Sequence, residues 1–179
     1  PELSPCGLLF CVGYTGDAAQ DEICVFDSHS LQLQRRFGRG LLNDAERLAV
    51  GVGSLYVCDC DHDCIRVFSF AGELLRTIRG EWRRPIGIIC VRDRLYLNER
   101  YDEGWDEDED LRPEGYSPEM GRRVFVMSPA GEALHTSDLE LEAGHRISSD
   151  VMAAFGENLV LKVRNQTGPE AKLVALKGL

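Results

Sequence analysis

The feature that most constrains this chain is a sentence that it repeats. The segment from Ile23 reads ICVFDSHSLQLQRRFG, and the segment from Ile65 reads IRVFSFAGELLRTIRG. The two align at a constant shift of 42, which places Val25 on Val67, Phe26 on Phe68, Leu33 on Leu75 and Gly38 on Gly80. A third copy, RVFVMSPAGEALHTS, begins at Arg123. A second module runs ahead of these. Leu55-Tyr56-Val57, Leu95-Tyr96-Leu97 and Leu159-Val160-Leu161 each follow a polar or glycine turn, and an apolar stretch precedes each turn. A repeat of this size cannot bury its own apolar face, so copies must stack on one another.

One unit therefore reads as an apolar strand, a turn, an LYV-type strand, a polar turn, an RVF-type strand, a turn with glycine and a last amphipathic strand. Val, Ile, Phe and Tyr suit strands, and Gly, Asp and Asn suit the turns. Four strands in about 40 residues is the size of one blade of a β-propeller, an all-β fold. A β-sandwich spaces strands similarly but has no reason to repeat the same four-strand order. The chain divides into four units, at residues 1–40, 41–80, 81–140 and 141–179, within one domain. The first shows no clear inner strand before Leu8, and the fourth shows no outer strand. The expectation is an incomplete or truncated ring, with open blade edges through which copies could self-associate.

The stretch from Leu55 to Leu97 carries a resemblance to the NHL repeat. Asp59 closes a hydrophobic strand, Arg66, Val67 and Phe68 stand for its R-[IV]-x-V-F strand, Gly72 for its turn and Gly80 for its F/I-G ending. Pro85 and Gly87 stand for its P-x-G-[IV] strand. The resemblance is good for the second unit, fair for the first and third, and poor for the fourth. It implies a propeller of NHL type, usually closed with about six blades. It specifies a fold more than an activity.

Charge is distributed unevenly. The chain carries a net −10, but residues 99–119 hold ten carboxylates and two arginines, so the rest contributes only −2. The acidity belongs to an insertion at 99–121, between the second and third strands of the third unit, where the other units need a short turn. Loops of this length in compact domains are usually functional or disordered. The run Asp106, Glu107, Asp108, Glu109 and Asp110 repels itself and should be solvated. With Trp105 and Tyr116 as aromatic anchors, these residues are the candidate contacts for a basic protein partner. They lack the order of a calcium hand, and weak divalent-cation binding is the alternative. Excess acid argues against a nucleic-acid partner. The Arg83, Arg84 and Trp82 patch reads as a solvated turn.

Seven cysteines cannot pair fully within the chain, and most lie in apolar strand patterns. Buried free thiols fit a reducing compartment, so an intracellular, cytoplasmic protein is expected. No apolar run approaches the roughly 20 residues of a membrane span.

Catalytic chemistry is harder to assemble. Cys58, Cys60 and Cys64 in CDCDHDC are spaced too tightly for an ordinary zinc site, and read as small buried residues around a polar turn. Aligned inner strands place Glu46, Ile86 and Asp150 at equivalent positions at the mouth of a central channel. Glu46 and Asp150 are thus the channel-mouth candidates of an alternative reading, a metal-dependent hydrolase or lyase of the six-bladed type, with calcium or another divalent ion. Asn98 and Glu99 could equally be turn residues. A catalytic set needs converging base, partner and stabiliser, and none emerges. The expected function is a protein-interaction module that presents propeller loops to a partner, without catalysis or cofactor.

Overall fold

A computed structural model describes residues 1–14, 16, 20–51, 53–101, 109–112, 116–156, 158–165 and 170–177, without the side chains of 109 and 149–151. Four antiparallel sheets follow one another in sequence order, and each is a simple meander. The first holds β1 (Glu2–Leu3), β2 (Leu8–Gly13), β3 (Glu22–Asp27) and β4 (Leu33–Phe37). The second holds β5 (Ala45–Gly51), β6 (Ser54–Asp59), β7 (Cys64–Ser69) and β8 (Leu74–Ile78). The third holds β9 (Pro85–Val91), β10 (Arg94–Glu99), β11 (Arg123–Met127) and β12 (Ala133–Asp138). The fourth holds β13 (His145–Phe155), β14 (Asn158–Asn165) and β15 (Ala171–Lys177). These are propeller blades. The first has an inner strand after all, two residues long, because Leu3 and Glu2 pair with Leu9 and Phe10.

Apolar residues alternate along the strands, so adjacent blades pack face to face, and the core lies in three seams. Phe10, Ile23 and Val25 meet Leu48, Leu55, Val57 and Phe68 between blades one and two. Tyr56, Ile65, Val67 and Ile78 meet Trp82, Leu95, Leu97 and Phe125 between blades two and three. Tyr96, Val124 and Val126 meet Ile147, Leu159 and Leu161 between blades three and four. On blade four, Phe155 is 79% and Leu173 70% exposed among the described residues.

Strand pairing corrects the reading of the third repeat. Tyr56 faces Val67 and Tyr96 faces Val126, so Val126 is the true equivalent of Val67. The two copies of the third strand and following turn therefore run at a constant shift of 59, which matches Ala71-Gly72-Glu73 to Ala130-Gly131-Glu132. The RVF of Arg123 is displaced two residues from the RVF of Arg66.

The turns after the third strands lock one blade to the previous one. Gly72 and Gly131 have φ values of 99° and 97°, a region that favours glycine. A Cβ on Gly72 would lie 2.7 Å from the Phe37 ring, and one on Gly131 would lie 2.7 Å from the Ile78 side chain. Gly131→Ala combines a left-handed backbone with a clash in a packed seam. It should cost about 1–3 kcal/mol, read as a lower midpoint in urea with the slope unchanged.

Candidate functional site

Antiparallel pairing puts particular loops at one end of the blades. Ala45 opposes Asp59, and Pro85 opposes Glu99. The segments leading into the inner strands thus share a face with the loops between second and third strands. The acidic insertion is one of those loops.

On this loop face, carboxylates and guanidiniums are interleaved. Asp59 is fully buried at the end of β6. It accepts from Arg66 Nε at 2.7 Å and from the Asn43 backbone N–H at 2.8 Å, and it shares a hydrogen with His62 Nδ1 at 2.9 Å. Glu99, also fully buried, repeats the device in blade three. It accepts from Arg123 Nε at 2.8 Å and Nη2 at 3.0 Å, and from the Arg83 N–H at 3.2 Å. Burial pushes the Glu99 carboxyl above its ordinary range despite Arg123. Blade one has Gly13 opposite Glu22 at this place, and there Arg36 donates to Glu22 at 2.6 Å instead. Asn98 and Glu99 are therefore strand residues, 1% and 0% exposed, and not turn residues.

Two further acids hold the next blade. Asp21 accepts the N–H of Ala45 at 2.9 Å, and Asp63 accepts that of Arg84 at 2.6 Å. They are 42 residues apart, so the repeat frame already contained this signal.

Closer to the channel, Asp44 meets Arg100 at 3.1 Å and Arg84 at 3.3 Å, Arg84 meets Asp61 at 2.8 Å, and Arg100 meets Glu46 at 3.7 Å. Burial, then the nearby Asp44 charge, raises the Glu46 carboxyl above its ordinary range. Tyr14 donates its hydroxyl to the Glu46 carbonyl at 3.3 Å. The inner strands β5, β9 and β13 each carry a register irregularity here. Glu46 and Arg47 stand against Cys58 alone, Ile86 is extra in β9, and residues 148–151 stand against Lys162. Such bulges re-aim side chains and recur beside functional sites. The inner strands surround a cavity of about 460 Å³, which Glu2, Tyr14, Glu46, Arg47, Gly87 and Met152 help to line.

The expected residues are distributed as follows. Glu46 lines the cavity between the inner strands and is ion-paired with Arg100. Asp150 lies in β13, but its side chain is outside what is described. Trp105, Asp106, Glu107 and Asp108 lie outside the described residues. Glu109 and Asp110 begin a short 3-10 turn, Glu109–Leu111. Tyr116 packs under the Arg112 guanidinium, 4.9 Å from its ring centroid. At the root of the insertion, Tyr101 lies under Arg146 of blade four at 4.4 Å. Cys58, Cys60 and Cys64 are fully buried. Burial raises the Cys60 thiol to about 12 and the Cys64 thiol to about 11. Among the described residues, Asp44, Cys60 and Asp61 form one group within metal-ligating reach. Arg84 bridges both of its carboxylates.

No protein-family profile matches the chain, and no curated protein matches it. Solved structures do. The nidogen chain of a nidogen/laminin complex superposes with a TM-score of 0.60 at 17% identity, covering 99% of this chain and 64% of that one. A streptogramin B lyase gives 0.59 at 15% identity, covering 98% and 53%. BamB from Moraxella catarrhalis gives 0.54 at 9% identity, covering 89% and 39%. The chain thus spans less than two thirds of each of these three neighbours. At such identities the likeness concerns the fold alone, and the fold is a β-propeller.

Proposed function

We propose that this chain is a protein-interaction module of NHL type, intracellular, which presents its loop face to a partner with a basic surface. The observation that carries this reading is the pairing of the charged groups at the channel mouth. Asp44, Glu46 and Asp61 are each engaged by Arg84 or Arg100, while the insertion, whose residues 99–119 carry a net −8 in sequence, is rooted on the same face at Glu99 and Arg123. A carboxylate already compensated by a guanidinium has less charge to offer a metal ion or a proton. The acidic insertion supplies the field that would steer a basic partner. Glu99 with Arg123 ties the two ends of the insertion together, and Tyr101 with Arg146 ties its first end to blade four. Solved neighbours include nidogen from a complex with laminin, so the fold is compatible with this use.

The test is deletion of residues 102–114 from the tagged chain, followed by partner capture at low and high salt. The parent should capture partners that are released as ionic strength rises, because exposed charges are screened. The deletion variant should melt as the parent does and capture none of them. Capture that survives the deletion would contradict the loop as the contact.

A second reading, a metal-dependent hydrolase or lyase, rests on the channel cavity and on Asn98. This amide is 1% exposed, and neither its Oδ1 nor its Nδ2 has a hydrogen-bond partner. Its Oδ1 fills the space of the missing Gly87 side chain, 1.9 Å from where that Cβ would stand. Gly87→Ala should therefore force Asn98 aside and cost about 1–3 kcal/mol, measured by urea unfolding. If a bound metal or substrate uses Asn98, the variant should also lose ligand-dependent stabilisation. On the interaction reading, its partner capture stays at the parent level.

A further inference from the structure

Blade one brings two cysteines face to face. β2 and β3 pair without a break, from Leu8 opposite Asp27 to Gly13 opposite Glu22, and Cys11 stands directly opposite Cys24. Directly opposed residues of an antiparallel ladder project from the same face, with Cα atoms about 4.5–5.5 Å apart. A disulfide spans Cα separations of about 4.4–6.8 Å. The pair therefore meets the backbone requirement without moving either strand. Among the described strand pairs it is the one place where cysteine faces cysteine. Cys58 faces Ile65, Cys64 faces Asp59 and Cys90 faces Leu95.

The surroundings give the two thiols different tasks. Cys11 is half-buried and lines the cavity between the inner strands, which opens it to a small reagent. Cys24 is only 9% exposed. Its Sγ lies over Gly13, 2.9 Å from where a Cβ on that residue would stand, and 4.0 Å from Glu22 Oε1. The bare Gly13 backbone leaves this side chain room to turn, and a change of χ1 rotamer swings the sulfur towards Cys11. Burial pushes the Cys24 thiol above its ordinary range despite Arg36 across the ladder. Cys24 is thus slow towards an outside reagent, whereas a sulfur held beside it gains from proximity. Cys58, Cys60 and Cys64 are fully buried, and burial pushes the Cys60 and Cys64 thiols to about 12 and about 11. Such thiols form little thiolate and stay out of exchange.

We propose that Cys11 and Cys24 are a reversible redox modification site, closed to an intramolecular disulfide by a low-molecular-weight disulfide such as glutathione disulfide. The Cys11 thiolate attacks one sulfur of the oxidant, a mixed disulfide forms, and one glutathione thiolate leaves. Cys24 gives its proton to solvent and attacks the Cys11 sulfur. The Cys11–Cys24 bond forms, the mixed disulfide breaks, and the second glutathione thiolate leaves. Two protein thiols are oxidised, and one glutathione disulfide is reduced to two glutathione thiols.

The bond staples the base of the loop between Gly13 and Glu22, on the loop face. The two ends of that loop hold blade two. Asp21 accepts the Ala45 N–H at 2.9 Å, and Tyr14 donates to the Glu46 carbonyl at 3.3 Å. Oxidation therefore stiffens the first seam where it meets the loop face. The geometry is internal to one hairpin, and the inference does not rest on the function proposed above.

The test incubates the full chain, folded, with glutathione disulfide, caps the remaining thiols with N-ethylmaleimide and maps the products by mass spectrometry. Chymotrypsin separates Cys6, Cys11 and Cys24 by cutting at Phe10 and Tyr14. The expected product joins Cys11 to Cys24, forms at least tenfold faster than any other cysteine pair, and is reversed by dithiothreitol. Amide exchange at Gly13 and Glu22 should slow at least threefold in the oxidised protein, because local opening of the hairpin end is restrained. Cys24→Ser should stop at a glutathione mixed disulfide on Cys11, and Cys11→Ser should leave Cys24 free, both variants melting as the reduced parent does. Other cysteine pairs forming as fast, or a mixed disulfide that persists on Cys11 of the parent, would overturn the site. Unchanged exchange at Gly13 and Glu22 after oxidation would overturn the staple.

Discussion

Asp59→Ala is expected to destabilise the protein by about 3–5 kcal/mol, the cost of removing one member of a buried ion pair. The carboxylate is fully buried, and four groups converge on it from three segments: Asn43 before β5, His62 in the turn, and Cys64 and Arg66 in β7. Removing it strands the Arg66 guanidinium, only 17% exposed, without its acid, and frees the segment that leads into the inner strand of blade two. Urea unfolding followed by circular dichroism measures the loss. A double-mutant cycle with Arg66→Ala separates the pair from its surroundings. A cost below about 1 kcal/mol, the range of an exposed pair, would contradict the role given to Asp59.

Glu99→Ala should cost a similar amount by the same reasoning, since Arg123 is 20% exposed and would lose its acid. This site adds a pH signature. Burial raises the folded-state pKa of Glu99 above the unfolded value, and Glu46 shifts the same way for the same first cause. Folding then takes up protons as pH falls towards these values, so the contribution of each group is fully present below the unfolded pKa. It is lost as pH rises through the raised folded pKa. The parent should therefore lose part of its stability as pH climbs from about 4 towards neutrality. The isosteric Glu99→Gln change should flatten that loss. A variant whose pH profile parallels the parent's would show that Glu99 does not titrate in this window.

These two sites also show what the sequence makes legible. Asp59 and Arg66 were readable as a motif, because both lie inside the copy that matches the repeat best. Their counterparts in blade three were not. The 23-residue insertion, 99–121, removes the short turn that fixes the offset between second and third strands. Arg123 could then move to the place of Cys64, directly opposite Glu99, whereas Arg66 reaches Asp59 diagonally. A longer acid facing the arginine replaces a shorter acid beside it. The RVF letters in blade three are therefore a coincidence of composition, and Ala-Gly-Glu is the reliable anchor. That turn is constrained by a positive φ and a close neighbour, while the strand residues need only be apolar.

The blade order was legible from strand period and turn spacing alone. Which carboxylates face which guanidiniums was not, because Asp44, Asp61, Arg84 and Arg100 come from four segments that only the folded ring brings together. Strand alignment assigned Glu46 to a channel mouth, and in the structure it lines the cavity between the inner strands. Its pairing with Arg100 could not be read, since Arg100 lies within the stretch assigned to the acidic insertion, 99–121. The bulges at 46–47, 86 and 148–151 were equally hidden, because an irregularity of pairing leaves no mark on composition.

The most direct measurement is a thermal melt of the parent and of the 102–114 deletion in EDTA, then in calcium, manganese and zinc. A ligand that binds only the folded state stabilises it by about 2.7 kcal/mol at a hundredfold excess over its dissociation constant. If the charges at the channel mouth are already neutralised by Arg84 and Arg100 and the loop face serves protein partners, neither protein should show a metal shift that depends on the channel. A clear metal shift that survives the deletion would contradict the interaction reading and place a metal centre in the channel.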